Sequence, residues 1–125
     1  MKKVLVLLAC SFIALTSVAE EKNDLSGIEV YYFHYSRRCV TCQAVEAVAQ
    51  DALIDFYEGR IALKSVNLDD KANSDLAKKL GVKGQSLLIV KGDKKIDLTN
   101  EGFLNARSNP DKFARKIKET IDALK

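Results

Sequence analysis

The sequence predicts a single α/β domain with the element order β-α-β-α-β-β-α. A dense aromatic and β-branched run, Ile28 to His34, gives way at Val40 to apolar residues at helical spacing. Two later apolar runs are separated only by Gly92-Asp93, a pair that suits a tight hairpin. Asn109-Pro110 then opens a last amphipathic stretch, with asparagine as cap and proline at the first helical position.

The elements follow in order. Glu20 to Ser26 is a polar lead-in ending at Gly27, after which Val30, Tyr31, Tyr32 and Phe33 mark a strand buried on both faces. Ser36, Arg37 and Arg38 form a turn. Val45, Val48, Ala49, Ala52, Leu53 and Phe56 share one stripe of a helix that stops at Gly59. Ile61 to Asn67 reads as the second strand. A short helix through Leu76, Ala77 and Leu80, capped by Asn73 or Ser74, ends at Gly81. Ser86 to Lys91 and Lys94 to Leu98 are the arms of the hairpin. Thr99 to Ser108 reads as a loop around Gly102, and Phe113, Ile117, Ile121 and Leu124 line the apolar side of the last helix.

The first nineteen residues have a different purpose. Lys2 and Lys3 precede an apolar run from Val4 to Leu15, and Thr16-Ser17-Val18-Ala19 ends in the small-x-small pattern of a cleavable export signal. That run, about a dozen residues, is shorter than the roughly 20 needed to span a bilayer. Cleavage after Ala19 is therefore expected, with residues 20–26 as a flexible lead-in and 27–125 as the domain. The mature chain is expected to carry no integral membrane segment and to be periplasmic or secreted. Leu7-Leu8-Ala9-Cys10 offers the alternative of a lipid anchor on Cys10, although Leu8 is unusual in that slot and the apolar run continues past the cysteine.

Composition is that of an ordinary globule: 125 residues, 47% hydrophobic, 30% charged, one proline. The formal charge of +3 is largely the leader's. Removing residues 1–19 takes two of the 20 basic residues and none of the 17 acidic ones, leaving a net +1. No basic stripe with interleaved aromatics is present, so nucleic acid is excluded as a partner. Cleavage also removes Cys10 and leaves one even pair, Cys39 and Cys42.

Cys39-Val40-Thr41-Cys42 is the feature that carries chemistry. In an exported chain, two thiols at this spacing beside a strand-to-helix junction read as a redox couple. As a structural staple the bridge would close only two residues and stabilise little. As a zinc site it is short of ligands, since a closed site wants about four Cys or His, and only His34 could join the pair. No metal and no cofactor are expected, although a site shared between chains or a soft-metal cargo would remedy the shortage. His34 itself reads as a packed or surface histidine.

The spacing assigns roles to the two thiols. Cys39 opens the helix, where unpaired N–H groups and the dipole favour thiolate. Arg38 and Arg37 add fixed positive charge beside it, so Cys39 is the expected nucleophile and Cys42 the resolving thiol.

With this element order and a CxxC at the start of the first helix, the chain resembles the thioredoxin-like family over nearly all of residues 27–125. Val30 to Ser36, Gly59-Arg60-Ile61 through Val66-Asn67-Leu68-Asp69, Gly81-Val82-Lys83-Gly84 and Lys91-Gly92 carry the likeness. The resemblance implies a four-stranded mixed sheet flanked by helices, disulfide exchange with a protein thiol or disulfide partner, and a substrate-facing loop at Gly84, Gln85 and Ser86. A monomer is expected.

The chain departs from the family pattern at several positions. Arg38 replaces the usual aromatic before the first cysteine. Gln85-Ser86 stands where the family has a cis-proline, and since a cis bond without proline costs about 3 kcal/mol, a trans bond is expected. Phe33 and Ser65 replace the family's buried acid and its lysine partner, leaving proton transfer from Cys42 to water or to a group such as Lys64. These changes point to a more restricted partner than a general thioredoxin has. The alternative is a non-enzymatic module of the same fold that binds a soft metal or a dedicated protein.

Overall fold

The structure is a computed structural model that describes residues 24–125. The expected export signal, with its expected cleavage site and Cys10, lies outside the described residues. A four-stranded sheet in the order β2-β1-β3-β4 forms the centre, built from β1 (Ile28–His34), β2 (Leu63–Asn67), β3 (Ser86–Lys91) and β4 (Lys94–Asp97). β1 pairs in parallel with β2 and antiparallel with β3, which pairs antiparallel with β4. Helices α1 (Val40–Tyr57), α2 (Ser74–Lys79), α3 (Thr99–Asn105) and α4 (Pro110–Asp122) flank this sheet. This is the mixed α/β arrangement that the resemblance implies.

Alternation along β1 divides the core in two. Val30 and Tyr32 pack with Val45, Ala49 and Leu53 of α1, Leu87 and Ile89 of β3, and Phe113, Ile117 and Ile121 of α4. Tyr31 and Phe33 point to the opposite face, where Val66, Leu88 and Ala77 of α2 enclose them. Both faces of β1 are thus sealed, and the strand becomes a rigid beam whose carboxyl end carries the cysteine turn. The far ends of α1 and α4 are joined by the Tyr57 phenol, which donates to Asp122 Oδ1 at 2.8 Å and lies 3.1 Å from Lys118 O.

The structure corrects several sequence expectations. Thr99 to Asn105 is helix α3, not loop: Asp97 Oδ1 accepts from the Thr99 N–H at 2.8 Å and from its hydroxyl, and Gly102 is buried against neighbouring helices. α1 ends at Tyr57 with Glu58 left-handed at φ 55°, and Tyr57 rather than Phe56 reaches the core, because it continues the line of Ala49 and Leu53 at four-residue steps. β2 starts at Leu63, two residues later than expected, and β4 stops at Asp97. Neither Asn73 nor Ser74 caps α2 through its side chain. Instead Asp70 caps a 3-10 turn (Lys71–Asn73) that runs into it, and the Asn73 amide donates to Asn67 O at 3.0 Å.

Candidate active site

The chain leaving β1 is fastened before it reaches the cysteines. Leu68 N–H donates to His34 O at 2.7 Å, Ser36 N–H to Asp69 Oδ2 at 2.8 Å, and Asn67 Nδ2 to Ser36 Oγ at 3.0 Å. These bonds tie the ends of β1 and β2 together, so the turn at 35–38 approaches α1 from a fixed support.

Cys39 is the N-cap of α1. Its backbone is extended and its sulfur accepts the Cys42 N–H at 3.0 Å, the bond an oxygen makes at most helix starts. No acidic residue stands in the first turn to oppose the positive end of this 18-residue helix. Cys39 is exposed, whereas Cys42, one turn inward, is 2% exposed. The two are joined as a disulfide with Sγ–Sγ 2.18 Å and Cα–Cα 5.0 Å.

Two groups meet Cys42 from the sheet side. The Tyr32 phenol donates to its carbonyl at 2.9 Å, and burial, reinforced by the Glu46 charge and opposed by Arg38, pushes that phenol up to about 12. Gln85 Oε1 lies 2.7 Å from Cys42 Sγ. A disulfide sulfur carries no hydrogen, so in the oxidised pair this is a bare contact; reduction would put a thiol proton opposite an amide acceptor.

The other sequence-predicted site residues fall around this centre. Ser86 Oγ donates back to Gly84 O at 2.9 Å, the Gln85–Ser86 bond is trans, and a Cβ on Gly84 would stand 3.9 Å from the Tyr35 hydroxyl. The 84–86 loop therefore borders the turn before Cys39. Arg37 is exposed and forms no ion pair among the described residues. Arg38 is committed elsewhere: Nη1 pairs with Glu46 and Nη2 reaches His34 Nε2 at 2.8 Å. Lys64 is likewise occupied, 3.3 Å from Glu29 and over the Tyr31 ring.

Sequence reasoning missed Glu46, Tyr32 and the inward contact of Gln85. Glu46 had no visible signal, because a partner two turns along a helix looks like any solvated acid. Two exposed apolar side chains, Tyr35 at 37% and Val40 at 66%, flank Cys39. Among the described residues, no cluster of three or more His, Cys, Asp or Glu could hold a metal ion, and no helix is long and apolar enough to cross a membrane.

No family model matches the chain, and no curated protein does. Among solved structures, one described as the structure of a malarial protein is similar: it is 26% identical, the match covers 62% of this chain and 92% of that one, and the TM-score is 0.43. The functional reading therefore stands on the site itself.

Proposed function

We propose that the protein is an exported thiol-disulfide oxidoreductase of the thioredoxin-like family, acting on a protein partner in the periplasm or outside the cell. Residues 1–19 are its leader and 27–125 its working domain. The observation that carries this reading is the asymmetry of the pair: an exposed Cys39 sulfur receives a helix N-terminal N–H, and a buried Cys42 stands directly behind it. The dipole and N–H stabilise a thiolate on Cys39, which attacks a substrate disulfide; Cys42 then attacks Cys39 and releases the reduced substrate. The reverse sequence oxidises a substrate.

Arg37 and Arg38 tune the nucleophile in this scheme, and the Gly84–Ser86 loop with Tyr35 and Val40 forms the rim against which a partner docks. Apolar side chains beside the exposed sulfur favour a protein partner over a small polar thiol. The test is reduction of insulin by dithiothreitol. The wild-type protein should accelerate it and the Cys39→Ser variant should not; equal rates would remove a general disulfide-reductase activity.

A further inference from the structure

Resolution of a mixed disulfide needs a proton removed from Cys42, and the chain has Phe33 where the family places a buried acid. Cys42 is only 2% exposed, so nearby groups must compensate the charge that the departing proton leaves on its sulfur. Most of them are already engaged. The Tyr32 phenol donates to the Cys42 carbonyl, Lys64 is held by Glu29, Glu46 is paired with Arg38, and both ring nitrogens of His34 have partners in Arg38 and Tyr35 O. Gln85 is the polar side chain in contact with the Cys42 sulfur itself.

We propose that the Gln85 carboxamide is a catalytic group for resolution, accepting the Cys42 thiol hydrogen in the resting dithiol and donating to the thiolate once that hydrogen has left. This rests on the disulfide-exchange reading above. An amide is no base, so the proton passes to water. What Gln85 supplies is a partner for each state of the sulfur: Oε1 accepts from S–H, and a half-turn about its last torsion presents Nε2–H to S⁻. That terminal sp² torsion is soft and nearly two-fold, and Gln85 is half-buried rather than locked in the core.

The balance is complete with a substrate disulfide as the oxidant. Cys42 thiolate attacks Cys39 Sγ, the Cys39–Cys42 bond forms, and the bond from Cys39 to the substrate sulfur breaks. The electron pair leaves on the substrate sulfur, which takes a proton from water. Hydrogen bonds to a charged group are worth more than those to a neutral one, so removing the amide costs the thiolate more than the thiol.

The experiment needs no physiological partner. Fully reduced protein is mixed with one equivalent of 5,5′-dithiobis(2-nitrobenzoate), and release of thionitrobenzoate is followed by stopped flow. The first release reports attack by Cys39, and the second reports its displacement by Cys42. Gln85→Leu, of similar shape, should leave the first phase unchanged and slow the second by about tenfold or more. Gln85→Glu places a real base at the same spot and should sustain the second phase at acidic pH, where the wild type slows. A second phase in Gln85→Leu as fast as wild type, or a Gln85→Glu profile that keeps the wild-type acid decline, overturns the proposal. A wild-type first phase no faster than that of glutathione would instead overturn the exchange reading.

Discussion

Arg38 Nη2 lies 2.8 Å from His34 Nε2, while the opposite ring nitrogen of His34 is 3.0 Å from the Tyr35 carbonyl oxygen. A guanidinium only donates and a carbonyl only accepts, so this donor count places the ring proton on Nδ1 and leaves Nε2 as the acceptor. His34 is therefore a bracket between the end of β1 and Arg38, the residue before Cys39. The other arm of Arg38 pairs with Glu46 on α1, so much of the arginine charge is balanced before it can act on Cys39.

That pairing makes Glu46 a control on the acidity of Cys39. In the reduced protein, Glu46→Gln frees the Arg38 charge and should lower the Cys39 pKa, whereas Arg38→Ala leaves the Glu46 carboxylate uncompensated and should raise it. Both shifts should stay under about one unit, because these groups are partly exposed and a unit requires 1.36 kcal/mol. Thiolate absorbance in the ultraviolet, followed through a pH titration, measures them. A Cys39 pKa that rises in Glu46→Gln would sink this account.

Much of the site's position was legible because it depends on local signals. The aromatic run ending at His34, the change of period at Val40 and the hairpin at Gly92-Asp93 place the cysteines at the carboxyl end of a central strand and the amino end of a helix. What was hidden depends on distant pairs. Gln85 is 43 residues from Cys42, and its inward turn has no periodic signature. Helix α3 was hidden for a different reason: a glycine at its centre reads as a breaker until the helices against which it packs are known.

Gly102 tests that explanation. Alanine there gains about 1 kcal/mol of helix propensity. Its Cβ, however, would stand 2.9 Å from Phe113 Cζ and 3.1 Å from Val45 Cγ1, and both side chains are fully buried. Overpacking a tight core costs about 1–3 kcal/mol, so the clash should win and Gly102→Ala should be net destabilising by up to about 2 kcal/mol. The urea midpoint of the oxidised protein should fall with little change in slope. A midpoint at or above wild type would mean that α3 can move away from α1 and α4.

The Tyr32 phenol gives the oxidised protein a marked alkaline limit. Burial, with the Glu46 charge, raises it to about 12, while the same phenol in the unfolded chain ionises near 10. Between these values the unfolded chain loses its proton and the folded one keeps it, so stability is full below about pH 10 and falls as pH rises toward 12. Tyr57 is raised in the same direction, first by burial and then by the hydrogen bond to Asp122, and adds to the decline. Tyr32→Phe should cost about 1 kcal/mol at neutral pH through the lost bond to Cys42 O. Between pH 10 and 12 it should lose stability less steeply than wild type, because one of the three raised phenols, Tyr31, Tyr32 and Tyr57, is gone. Urea midpoints at neutral pH and across that alkaline range measure both effects, and parallel declines for the two proteins would show that the Tyr32 phenol ionises as readily folded as unfolded.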